Sequence, residues 1–150
     1  MGLDMYLTGR RYIWEHSDKP EEQELAQASG KLPNLGNNGK RVKGVEVEAM
    51  YWRKASAIHK WFVDNVQDGE DECREHYVSR EQLSDLRDAC ANALANPAEA
   101  SYYLPTTQGF FFGSTDIDEW YFEAMRATVD GLNECLNMDK AWSFYYCSSW

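Results

Sequence analysis

The sequence predicts a single α+β domain over residues 1–150, in which a small antiparallel or mixed sheet packs with three main helices. Apolar and polar residues alternate in three segments, as in strands with one buried face. In three other segments apolar residues recur every three or four positions, as in amphipathic helices. Because 43% of the 150 residues are hydrophobic and 14% aromatic, the chain can bury a sizeable core.

The N-terminal part predicts two strands joined by a long polar segment. Residues 3–8 alternate between apolar and polar side chains, which predicts a strand with one apolar face. Residues 15–41 are polar and contain several Gly and Pro residues, so we expect a mobile loop there, with a short helix at 21–28. β character resumes over 42–48, and we expect this segment to pair with the first strand.

The segment 46–66 is predicted to leave the second strand and to form the helix around which the domain is organised. Its apolar residues recur at helical spacing and form one stripe, which consists of Tyr51, Ala55, Ile58, Phe62 and Val66. On such a helix Trp52 and Arg53 point about 100° apart. With Trp52 against the domain, Arg53 is therefore expected at its rim.

A second helix and a closing strand are predicted further along the chain. Ser79 followed by Gln82 fits a capping box, which predicts a helix over 80–95. The short segment 76–78 before it is expected to be extended. Aromatic residues alternate in 141–147, and we predict a strand inside the sheet there, because so many aromatic side chains are unfavourable in water.

The third helix is predicted to follow the GFFFG segment at 109–113. Three consecutive phenylalanines cannot all face one core, so we expect either cover on both faces or one exposed ring. Ser114 or Thr115 is expected to cap a helix over about 116–136.

Charge and composition limit the classes of function. The net charge is −10, with +2 in residues 1–60 and −12 in residues 61–150. General binding to nucleic acid is therefore not expected, because phosphate contacts need a basic face. The sequence contains neither a membrane span nor a secretion signal, and its four cysteines form no CxxC pair, so we expect reduced thiols in a cytoplasm.

None of the familiar catalytic motifs is present, so we favour a protein that is not an enzyme and needs no cofactor or metal. His59 is expected to be a hydrogen-bonded packing residue. Cys73 and His76 form only half of a metal site. Carboxylates near the start of the third helix, such as Asp116 and Asp118, could hold a cation, but a solvated helix N-terminus accounts for them more simply.

The chain resembles a family of small phage and prophage proteins. The resemblance lies in the MGLDMYL start, the runs YWRKASAIHKWFVDNV and GFFFGSTDIDEWYF, and the FYYCSSW end. It covers roughly the whole chain outside residues 15–41. What the resemblance implies is a virus-encoded accessory protein that acts in the cytoplasm of a bacterial host, without a known fold or activity to transfer.

The residues that could bind a nucleotide-like ligand supply positive charge, aromatic surfaces or hydrogen-bond donors. Cationic side chains could hold a phosphate, rings could stack on a base, and the GSTD segment at 113–116 offers amides and hydroxyls at a predicted helix start. The candidate ligand-binding residues are Trp52, Arg53, Lys54, His59, Lys60, Trp61, Phe112, Ser114, Thr115, Asp116, Trp120, Tyr145 and Trp150.

The leading interpretation is a phage accessory protein that binds a small nucleotide-like ligand without catalysis, as in the sequestration of a host immune signal. Two alternatives stay open. One is an interaction module that inhibits a host protein through an acidic surface that includes Glu70, Asp71 and Glu72. The other is an enzyme acting on a nucleotide or phosphate compound, with His59 as acid or base. A homo-oligomer is compatible with each of them.

Overall fold

The computed structural model describes residues 2–14, 16–32 and 41–150, and it has the predicted α+β architecture. Four antiparallel strands form one sheet in the order β2-β1-β4-β3. The predicted strands at 3–8, 42–48 and 141–147 are confirmed, and so is the extended segment before the second helix. The strands are β1 (Asp4–Tyr12), β2 (Gly44–Arg53), β3 (His76–Val78) and β4 (Trp142–Ser149).

Five α-helices lie in the described part of the chain, and three of them supply most of the helical core. The second predicted helix has the predicted bounds and the predicted capping box between Ser79 and Gln82. None of the described helices is both long and apolar enough to cross a membrane. The helices are α1 (Pro20–Ser29), α2 (Ser56–Asn65), α3 (Arg80–Ala95), α4 (Ala100–Tyr103) and α5 (Glu119–Asn137).

The sheet has two different faces. On the inner face, Leu7 of β1 pairs with Tyr146 of β4, and both belong to the same buried core as Phe62 of α2. The rings of Phe62 and Tyr146 stack with centroids 3.8 Å apart. On the outer face, the alternate residues of β1 remain half-exposed. The helices α2, α3 and α5 thus contribute to the core on one side of the sheet.

The prediction that the helix of segment 46–66 includes Tyr51, Trp52 and Arg53 is wrong. β2 continues to Arg53, and α2 begins only at Ser56. The extended conformation is favoured over the helix because this segment pairs with β1, with Met5 opposite Trp52 and Asp4 opposite Arg53. In a strand, successive side chains point to opposite faces, so Trp52 enters the core and Arg53 reaches the outer face.

The predicted start of the third helix is also wrong. α5 begins at Glu119, and its cap is Asp118, whose carboxylate accepts a hydrogen bond from the backbone N–H of Tyr121 at 3.1 Å. The hydroxyl of Ser114 instead accepts from the backbone N–H of Asp116, which closes a local turn. The GSTD segment therefore precedes the helix and does not form its N-terminus.

The aromatic segments agree with their predictions in part. Phe110 is 94% exposed and Phe112 is buried, which is the expected compromise for three consecutive rings. In β4, Phe144 and Tyr146 are fully buried, whereas Trp142 is only half-buried.

The predicted mobile loop at 15–41 contains α1, whose buried Glu22 lies 3.8 Å from Arg11 of β1. Residues 15 and 33–40 of the predicted loop lie outside the described residues.

Candidate ligand-binding cleft

A cleft of about 650 Å³ lies between the end of β2, the loop before α5 and the first turns of α5. Six of the predicted binding residues line it, although only Trp120 lies in the element in which it was predicted. These six residues are Trp52, Arg53, Lys54, Ser114, Asp116 and Trp120.

The two tryptophan rings of the cleft differ in burial and in hydrogen bonding. Trp52 is 5% exposed, and its indole N–H donates a 2.8 Å hydrogen bond to the hydroxyl of Thr128 on α5. That bond fixes the ring orientation, because a buried indole N–H needs an acceptor. Trp120, in the first turn of α5, is 78% exposed, and its indole N–H has no hydrogen-bond acceptor among the described residues. One ring is therefore held by the core, and the other is available for stacking.

The cationic part of the cleft depends on an unusual backbone conformation. Lys54 has a φ of 55°, and its backbone N–H donates to the carbonyl of Leu3 at 2.8 Å. Gly113 has a φ of 88°, and a Cβ atom there would lie 3.0 Å from the Cβ of Lys54. A glycine is thus needed both for the backbone angle and for this close approach.

Arg53 projects its guanidinium towards solvent beside Lys54. Its side chain is 59% exposed, and its Nε lies 3.8 Å from a carboxylate oxygen of Asp4. The hydroxyl of Tyr51 donates a hydrogen bond to the same carboxylate, and this bond raises the pKa of Tyr51 above its ordinary value. The guanidinium is at the long limit of an ion pair, so its donors are largely available to a ligand.

The lining of the cleft also contains acidic residues. Asp116, Asp118 and Glu123 line it together with the two cations Arg53 and Lys54. This arrangement does not attract a polyanion, but it does provide acceptors for hydroxyl or amine groups. Among the described residues that line the cleft there is no histidine or cysteine, whereas carboxylates and hydroxyls such as those of Asp116, Glu123 and Ser114 are present.

A second group of predicted residues forms a closed cluster around His59, which is fully buried. Its Nε2 lies 3.1 Å from Asp71, and its Nδ1 lies 2.8 Å from the hydroxyl of Tyr146. Because a carboxylate only accepts, Nε2 carries a proton and donates a hydrogen bond to Asp71. The indole N–H of Trp150 donates to Asp71 at 3.2 Å, and Phe112 packs edge-on against His59.

The cluster around His59 joins Trp150 and the loop after α2 to the core. Burial raises the pKa of the Tyr146 phenol well above its ordinary value, so the hydroxyl stays protonated. Since His59 and Tyr146 have no exposed surface, this chain of hydrogen bonds presents no reactive atom to a substrate. The expectation that His59 is a hydrogen-bonded packing residue agrees with this geometry.

The other predicted binding residues are separate from both groups. Lys60 forms an ion pair with Asp64 at 2.7 Å on α2, and Trp61 packs edge-on against Phe62. Thr115 is absent from the cleft lining, and its carbonyl accepts from Thr106. Tyr145 lies on the outer face of the sheet, with the guanidinium of Arg10 4.7 Å from its ring centroid.

Sequence reasoning missed some lining residues that belong to the cleft. Tyr51 was assigned to a helical core stripe, but it lies on the outer face of β2 and is 44% exposed. Alternation through Arg53 was the signal that could have placed it there. Glu123, one turn into α5, had no local signal, because its role depends on the packing of α5 beside β2.

In the described ranges, no group of three His, Cys, Asp or Glu side chains could hold a metal ion. A cavity of about 540 Å³ lies at the opposite end of β1, lined by Tyr12, Trp14 and Lys19 among others. None of the predicted binding residues contributes to that cavity.

Comparison of the chain with family models, with curated proteins and with solved structures gave no match.

Proposed function

We propose that the cleft binds a small nucleotide-like ligand without catalysis, in a phage accessory protein that sequesters a host nucleotide signal. The observation that carries the proposal is the meeting of stacking, cationic and hydrogen-bonding residues in one cleft. Trp120, Arg53 and Asp116 come from three separate elements and line the same space. The volume of about 650 Å³ lies in the usual range of small-molecule sites.

Each part of a nucleotide has a counterpart in the cleft. A base can stack on the exposed ring of Trp120, since every base has a π-face. A phosphate can contact Arg53 and Lys54, whose donors form charge-assisted hydrogen bonds. Ribose hydroxyls or an exocyclic amine can donate to Asp116 or Glu123 in the lining.

The charge balance of the cleft favours a ligand with few negative charges. Its ionisable lining consists of two cations and three carboxylates, so each added phosphate meets increasing repulsion. We therefore expect a monophosphate, a cyclic nucleotide or an ADP-ribose-type compound to bind better than a triphosphate with the same base.

Titration calorimetry against such a panel tests the proposal directly. Replacing Arg53 by Ala is expected to weaken binding about tenfold or more, because a charge-assisted contact is lost. Arg74→Ala provides the control, since Arg74 is also exposed and paired with one carboxylate but does not line the cleft. The nucleotide affinity of the Arg74→Ala variant is expected to equal that of the unmodified protein.

Two outcomes would contradict the proposal. One is the absence of heat for every member of the panel at concentrations up to about a millimolar, which corresponds to roughly 4 kcal/mol of binding free energy. The other is binding that Arg53→Ala and Arg74→Ala weaken equally, because that result would indicate a general charge effect.

A further inference from the structure

We propose that the outer face of the sheet is a docking surface for a Lys/Arg-rich segment of another protein. This face, called the tyrosine face, carries alternate residues of all four strands. They share the side of the sheet opposite the helical core, as the strand register requires. The tyrosine face includes Tyr6, Arg10, Glu48, Tyr51, Tyr77 and Tyr145.

The composition of the tyrosine face is that of a protein interface. Two tyrosine pairs lie on it, with Tyr6 and Tyr51 at a centroid distance of 5.3 Å and Tyr77 and Tyr145 at 5.8 Å. Tyr77 is 60% exposed. Tyrosine and arginine are enriched where binding energy is concentrated, since they combine a large apolar area with hydrogen-bonding groups.

The chain already shows how this face binds a cation. The guanidinium of Arg10 lies over the ring of Tyr145 and bridges two carboxylates, with bonds of 2.5 Å to Glu46 and 2.5 and 2.7 Å to Glu75. A cation between an aromatic face and carboxylates gains both cation–π attraction and charge-assisted hydrogen bonds. These carboxylates raise the pKa of Arg10.

The other half of the face has similar groups but one carboxylate without a partner. Glu48 pairs with Thr8 in the next outward position after the Tyr6–Tyr51 pair, and it is exposed. Its carboxylate has no hydrogen-bond or ion-pair partner among the described residues. A Lys or Arg side chain of a partner can occupy the space beside Glu48 and Tyr51, as Arg10 does beside Glu46 and Tyr145.

Charge identifies the occupant as a basic segment of a different protein. The whole chain has a net charge of −10, so a second copy would be repelled. The acidic loop after α2 is a weaker candidate for the same partner. There Asp71 is bound to His59 and Trp150, while Glu72 is paired with Arg74 and His76.

A nuclear magnetic resonance titration with a short synthetic peptide of alternating Arg and Ser tests this proposal. The same peptide with Glu in place of Arg serves as the probe control. At physiological salt we expect the Arg peptide to shift amide signals of Tyr6, Thr8, Glu48 and Tyr77, and the Glu peptide to shift none.

Two charge-matched variants decide whether the surface or the net charge is responsible. Glu48→Lys is expected to weaken binding of the Arg peptide about tenfold or more. Glu81→Lys makes the same charge change in the first turn of α3, and we expect less than a twofold effect. Tyr77→Ser, which removes an exposed ring, is expected to weaken binding several-fold.

Equal losses in the two Lys variants would overturn the proposal, because they would show attraction to the net charge alone. Amide shifts confined to the loop at 70–75 or to the cleft would also overturn it, as would the absence of any shift. Tyr51 belongs to both surfaces, but none of the three substituted residues lines the cleft, so these variants test the docking surface separately from the nucleotide titration.

Discussion

The cleft beside Trp52 and the cluster around His59 are built from the same kinds of residue, but they differ in where their polar groups find partners. In the cluster, His59 is hydrogen-bonded on both ring nitrogens, and Asp71 accepts from both His59 and Trp150. In the cleft, Trp120 is exposed, and Arg53 is 3.8 Å from its nearest carboxylate. Residue type alone does not distinguish a core from a site.

The difference teaches that a binding site needs groups whose partners lie outside the chain. A buried group satisfied within the chain contributes to stability and is costly to change. An exposed group without a close partner contributes little to stability and is available to a ligand. The cluster and the cleft should therefore respond to mutation in opposite ways.

High pH is expected to produce the largest effect on stability, through buried groups of the core and of the cluster around His59. Burial raises the pKa of the Cys90 thiol from its ordinary 9.0 to about 12 and raises that of Tyr146 well above its ordinary value. The stability that these protonated groups contribute is complete below the ordinary pKa values and is lost as pH rises through the folded values. The unfolding free energy should fall above about pH 9, by up to roughly 1.4 kcal/mol per pH unit per group.

Urea unfolding between pH 7 and 11 measures this dependence. Cys90→Ala removes one of the groups whose pKa is raised by burial, which also include Tyr121 and Cys135, so its pH slope should be reduced by up to one proton relative to the unmodified chain. A slope unchanged by Cys90→Ala would show that this thiol ionises equally in the folded and unfolded states.

His59→Ala should destabilise the protein by roughly 2–4 kcal/mol, because it leaves a cavity and removes the buried hydrogen-bond partner of Tyr146. Urea unfolding provides the measurement, and Lys60→Ala on the exposed side of α2 is the control, with an expected change below about 0.5 kcal/mol. Affinity for a cleft ligand should be unchanged in folded His59→Ala protein. A loss of affinity without a loss of stability would mean that His59 belongs to the binding site.

Thr128→Val tests the hydrogen bond that holds Trp52 in the cleft. The substitution keeps the side-chain shape but removes the acceptor of the Trp52 indole, which costs about 1–3 kcal/mol when a buried donor is left without a partner. Chemical unfolding should show this loss. If stability is unchanged, the Trp52 indole finds another acceptor, and its orientation is not fixed by Thr128.

Arg53→Ala should have the smallest effect on stability, below about 0.5 kcal/mol, since the side chain is largely exposed. Its melting temperature, measured by calorimetry, should match that of the unmodified protein. A clear decrease would show that the contact between Arg53 and Asp4 stabilises the end of the sheet.

Local sequence signals predicted the fold best where the deciding interactions are local. The helix α3 was predicted with its bounds because Ser79 and Gln82 form the capping box within one turn. The boundary between β2 and α2 was missed because pairing with β1, about 50 residues earlier in the chain, extends the strand through Trp52. The α5 cap was misplaced because several neighbouring side chains can cap, and Asp118 accepts from Tyr121.

The candidate site was likewise predicted only where local properties of the side chains decide. Residue types indicated Arg53, Lys54 and Trp120, because stacking and charge are properties of the side chains themselves. Their geometry depends on contacts between distant segments, such as the approach of Gly113 to Lys54. The partner of His59 was missed for the same reason, since Asp71 lies in an acidic segment that the sequence indicated only as a surface for a host protein.

The indole N–H signals of the six tryptophans provide the most direct test that the cleft, and not another aromatic surface, binds the ligand. In a nitrogen–proton correlation spectrum titrated with adenosine monophosphate or a cyclic nucleotide, we expect the Trp120 signal to shift and the Trp14 and Trp150 signals to stay in place. Shifts of Trp14 or Trp150 without Trp120 would contradict the account, as would six unchanged signals at ligand concentrations up to about a millimolar.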